Sequence, residues 1–83
     1  MTRKEFENWY YNEKIDIGIM DIELDIITDA SFVLGCCLVD GKWVVYSSGE
    51  RYGHEVIEEF TIENNAFNLF QELVLYYADL AKV

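Results

Sequence analysis

Phe6, Trp9 and Tyr10 recur at helical spacing, with Arg3, Glu7 and Glu13 between and around them. That pattern predicts an amphipathic helix over 3–13 whose aromatic stripe covers part of a sheet. Thr2, followed three residues later by Glu5, forms a capping box that starts it. The next segment is ambiguous. Ile15, Ile17 and Ile19 alternate with Asp16 and Gly18, and the alternation resumes one step out of phase over 21–26. A break or bulge near Met20 would restore the phase. A helix through Ile15, Ile19, Ile22 and Ile26 is also open, but the β-branched isoleucines favour extended structure for part of 15–29.

Residues 31–39 read as a strand, Asp40-Gly41 as a tight hairpin turn, and 42–47 as the return strand. Asp-Gly suits the positive φ angles that two-residue hairpins require. A connection over 48–53 leads to a further strand over 54–61. Val56 and Ile57 would fall on opposite faces of it, so this strand is either covered on both sides or bulged. The closing helix is expected to begin near Thr61 as N-cap, with Glu63 in its positively polarised first turn, and to run through Leu80. Its polar positions are a narrow stripe of Asn68, Gln71, Glu72 and Asp79. Such a helix is either wedged between sheet and first helix or offers a second apolar face to another protein, including a second copy in a homodimer. The expected fold class is α+β: an antiparallel β-meander of three to four strands with an N-terminal and a C-terminal helix packed on it. No Pro, Gly/Ser linker or repeat divides the chain, so 1–83 reads as one domain.

Composition alters this picture mainly through charge. Among 83 residues, Lys+Arg number 6 and Asp+Glu 16, a formal net charge of −10, while hydrophobic residues make up 52%. That much apolar content excludes a disordered acidic tail. The charge disfavours direct binding of nucleic acid or an anionic membrane and favours a basic partner. No apolar run is long enough to span a membrane, and residues 1–8 lack the basic-then-apolar order of a signal peptide. Cys36 and Cys37 are adjacent, badly placed to bridge to each other, and lack zinc-ligand spacing. Two reduced thiols in the cytoplasm is the expected state.

The acid is not evenly spread. Residues 15–41 hold six acids and no Lys or Arg, and residues 52–81 hold six more, again with none. Between them lies the near-neutral, aromatic hairpin. The first stretch nominates Asp21, Glu23, Asp25 and Asp29 as partner-binding residues, and the second nominates Glu55, Glu58 and Glu59, because complementary fields raise association rate and specificity. Asp21, Glu23 and Asp25 alternate like calcium ligands, but the glycine and terminal glutamate of an EF-hand loop are replaced by Ile26 and Phe32. His54 has no partnered nucleophile, and Ser47 and Ser48 lie outside any nucleophile elbow. No phosphate-cradling glycine loop is present. The reading is therefore a non-enzymatic protein with no metal and no cofactor.

Trp43, Val45 and Tyr46, then Glu50 and Arg51, then Phe60, Glu63 and Ala66 follow a pattern of Trp-x-Val-Tyr, Glu-Arg-Gly and Phe-x-x-Glu-x-x-Ala, with Tyr52 inserted before Gly53. In this the chain resembles the small bacterial immunity proteins of polymorphic and contact-dependent growth inhibition toxin systems. The resemblance implies a cytoplasmic inhibitor that binds the C-terminal domain of a cognate toxin, a basic nuclease in many such systems. It adds Glu50, Arg51 and Tyr52 to the expected partner-binding residues. The alternative reading is a phage- or plasmid-encoded acidic mimic of nucleic acid that occupies a host nuclease or DNA-binding protein.

Overall fold

The computed structural model describes residues 1–51 and 53–82. Helix α1 spans Arg3–Asn12 and opens with the reciprocal capping box: Thr2 Oγ1 accepts the Glu5 N–H, and Glu5 Oε1 accepts the Thr2 N–H. It closes on Lys14 at φ 50°, with the Lys14 and Ile15 N–H groups donating back to the Tyr11 and Tyr10 carbonyls. That is the Schellman closure, made here with a lysine where glycine is usual.

The expected extended segment contracts to a short strand β1, Asp21–Glu23. No bulge repairs the phase at Met20. A turn at Gly18 (φ 70°) does so, with Asp16 Oδ1 accepting the Gly18 N–H at 2.8 Å. Strands β2 (Val33–Val39), β3 (Lys42–Ser48) and β4 (His54–Phe60) form the antiparallel meander. Between β2 and β3, Asp40 and Gly41 take φ 49° and 80°, as a type I′ hairpin requires. β1 joins parallel to β2, so the sheet is mixed, in the order β1-β2-β3-β4. The β4 strand is bulged: Val45 pairs with Glu58 but Tyr46 with Val56, which leaves Ile57 as the extra residue.

Helix α2 spans Glu63–Ala81 and starts one residue later than the sequence suggests. Ile62, not Thr61, occupies the N-cap, and no side chain caps it. Glu63 turns instead to α1, its Oε2 accepting the Arg3 N–H at 2.7 Å. Arg3 also bonds the Glu7 carboxylate at 3.0 Å, the Leu24 carbonyl at 3.3 Å and Asp25 at 2.9 Å. One residue thus ties α1 to both α2 and the segment after β1.

Both helices pack on one face of the sheet. There Phe6, Phe67, Phe70, Val74 and Ala78 bury Leu34, Cys36 and Val45. Phe6 and Phe70 ring centroids lie 5.0 Å apart, a spacing that adds to simple burial. The opposite face carries a second, smaller cluster of Val33, Cys37, Val44 and Tyr46, against which Ile27 packs. Of the crossover between the two parallel strands, residues 24–32, Ile26, Ile27, Thr28 and Ala30 lie over this face, while Leu24 packs on the helix side. Burial from both sides explains why β2 reads as a continuous apolar run rather than an alternation. Cys36 and Cys37 are accordingly split between the two clusters, both buried and free.

Candidate binding surface

The crossover is held by three side chains of the sheet. Tyr46 lies over Gly35, its cross-strand neighbour, and a Cβ at residue 35 would collide with the ring. From that position its hydroxyl donates to the Ile26 carbonyl at 2.7 Å and accepts the Thr28 N–H at 3.3 Å. Ser48 Oγ donates to the Ala30 carbonyl and accepts the Val33 N–H. His54, first residue of β4, reaches Asp29: its backbone N–H and its Nδ1 lie 3.0 and 2.7 Å from Asp29 Oδ1. These bonds hold the Asp29 carboxyl below its ordinary range, the His54 side chain contributing most and its backbone N–H next.

This geometry sorts the acids nominated above. Asp21 and Glu23 lie on β1, one edge of the sheet, and Asp25 follows them. Glu55, Glu58 and Glu59 lie on β4, the other edge, roughly 14 Å away at three inter-strand spacings. Two acids of the first group are engaged within the chain: Asp25, though exposed, pairs with Arg3, and Glu23 Oε2 accepts the Asp25 and Ile26 N–H groups. Asp29 alone is carried from the first group to the second.

Around it the surface is polar. Glu50, Arg51 and Glu55 line an open cleft of about 470 Å³ with Ser47, Ser48 and His54. Arg51 makes no ion pair among the described residues, and Tyr52 lies outside them. Glu55 sits opposite Ser47 and Glu58 opposite Val45, on the helix side, while Glu59 sits opposite Val44 on the other. None of the three makes a side-chain hydrogen bond or ion pair among the described residues. The whole of β4 before Phe60 is exposed, including Val56 and Ile57 at 45% and 43%.

Sequence patterning did not single out the exposed Val56 and Ile57 as surface, nor His54 as the clamp on Asp29. It also left open the outer side of α2, where Leu75, Tyr76 and Leu80 are exposed although the other side is buried. A second, mainly apolar cleft of about 370 Å³ opens between that end of α2 and the turn at Gly18, lined by Ile17, Ile19, Met20, Phe32, Tyr77 and Leu80. Among the described residues no group of three or more His, Cys, Asp or Glu is placed to hold a metal ion. Nor, among those residues, is any helix long and apolar enough to cross a membrane. What the β4 edge and its cleft can do is present fixed negative charge and hydrogen-bonding groups to a partner. No family model, no curated protein and no solved structure matches the chain.

Proposed function

We propose that the protein is a non-enzymatic immunity protein that binds and neutralises the C-terminal domain of a cognate bacterial toxin, a basic nuclease, in the cytoplasm of the producing cell. The observation that carries this reading is the β4 edge, where Glu55, Glu58 and Glu59 stand exposed in a stretch of chain, 52–81, without a single Lys or Arg. Nucleases gather positive charge around the phosphates they bind, so an acidic surface meets them with complementary potential. Inhibition of this kind needs shape and charge over a standard-sized interface and no chemistry from the inhibitor. The likeness of Trp43, Tyr46, Glu50, Arg51, Phe60 and Glu63 to the immunity-protein pattern supports the same reading.

The reading is tested by co-expression with the C-terminal domain of the large toxin gene expected immediately upstream. Growth should be restored by the wild-type chain, and the two proteins should purify together. A toxin domain that kills equally well in the presence of the chain would refute it. The mimic reading predicts a different context, a phage or mobile-element cluster, and competition with DNA for a host protein.

A further inference from the structure

Strand β4 is seven residues long, lies at the end of the sheet order and, among the described residues, pairs on only one side. Its second side is a row of backbone N–H and C=O groups, every other residue turned outward. The opposite edge differs: β1 has three residues, too few for a stable added ladder. We propose that β4 receives a strand of the partner by edge-to-edge addition, and that this strand is basic on both faces. The proposal rests on the inhibitor reading above for the partner's identity, and on the geometry of β4 for the mode.

Charge selects the occupant. An added strand places a side chain beside Glu55 and Glu58 on the helix side and beside Glu59 on the other, at separations where opposite charges attract and like charges repel. A Lys or Arg opposite each glutamate satisfies all three, and an apolar residue opposite Val56 covers its exposed side chain. A second copy of this chain fits badly. Antiparallel pairing of two β4 strands about a two-fold between Val56 and Ile57 sets Glu55 against Glu58, both on the helix side, at both ends of the ladder. The glutamates and the bulge at Ile57 are devices by which edge strands avoid self-association. The same glutamates admit a basic strand, so protection against the wrong partner and recognition of the right one reside in the same residues. The exposed side of α2 offers no comparable argument, because Leu75, Tyr76 and Leu80 specify no particular occupant.

The experiment is residue-resolved amide hydrogen exchange on the full chain, run free, with the toxin domain, and with the synthetic peptide acetyl-Thr-Val-Lys-Arg-Val-Lys-Thr-amide. Alternating amides of β4 should gain protection in both complexes. N-methylation of alternate peptide amides should abolish that gain while leaving peptide charge unchanged. Replacing Glu55, Glu58 and Glu59 together by Lys should weaken peptide binding roughly 10- to 100-fold. The triple Gln variant, which leaves no like charges, should lie between and serves if the Lys variant does not fold. A toxin complex that forms with β4 exchange unchanged overturns strand addition and leaves the inhibitor reading standing. Protection of β4 by the peptide without any toxin complex does the reverse. Binding to neither overturns both.

Discussion

Asp29 and His54 are 25 residues apart in the chain, yet Asp29 Oδ1 lies 2.7 Å from His54 Nδ1 and 3.0 Å from the His54 backbone N–H. The contact joins the crossover to the first residue of the acidic edge strand.

Because these bonds hold the Asp29 carboxyl below its ordinary range, the contact has a defined pH dependence. A depressed carboxyl contributes stability that is fully present above its unfolded value of about 3.9 and is lost as pH falls through the folded one. Asp29→Asn should therefore be less stable than wild type at neutral pH, and the difference should shrink below about pH 4. Glu50, Arg51 and Glu55 line the adjacent cleft, so the comparison is made between wild type and variant at each pH, which cancels their titration. Denaturant midpoints from pH 2 to 7 measure it. A constant difference down to pH 2 would show that the carboxylate is not the holding group.

The Tyr46–Gly35 stack sets the second expectation. Gly35→Ala forces a methyl group into the Tyr46 ring, and overpacking of this kind costs about 1–3 kcal/mol. Tyr46→Phe keeps the ring but removes the hydroxyl between Ile26 and Thr28, a loss of about 1–2 kcal/mol. The two should be told apart by hydrogen exchange: Tyr46→Phe speeds exchange of the Thr28 amide more than the global loss of stability accounts for. Uniform acceleration across the sheet would mean the hydroxyl does not hold the crossover.

The cysteines should be chemically silent while the chain is folded. Burial pushes the Cys36 thiol up to about 12, and burial also raises Cys37. Thiolate is the reactive form, so at pH 8 both should react with a disulfide reagent only after denaturation. Fast labelling of the native protein would contradict the two-sided cover of β2.

Much of this fold is legible before the structure, where local chemistry determines it. The box of Thr2 and Glu5 and the turn of Asp40 and Gly41 each need residues only a few positions apart, and both are found as expected. The meander and the two flanking helices follow from the same local patterns. What was not legible depends on distant partners. Residues 15–29 carry two competing periods, and their outcome is decided by Val33 to Gly35, which pair with β1 in parallel, and by Tyr46, Ser48 and His54, which hold the crossover. The start of α2 is shifted by one residue, with Ile62 at the N-cap and no side chain capping it, while Glu63 in the first turn accepts from Arg3, 60 residues away. In the candidate site, the acids were identifiable by type, but their division between two sheet edges was not. Asp25 and Glu23 look like Glu58 and Glu59 in sequence, yet the first pair is used to build the molecule.

The proposed capture of a basic toxin domain by the acidic β4 edge is tested most directly by the association rate constant across ionic strength. Wild type should associate with that domain fastest at low salt and slow steeply as salt rises, because steering by complementary charge is screened over about 10 Å at 0.1 M. With Glu55, Glu58 and Glu59 replaced by Lys, the rate should drop by about tenfold or more at low salt and its salt dependence should flatten. Equal rates for wild type and variant at every salt concentration would contradict capture by the β4 edge.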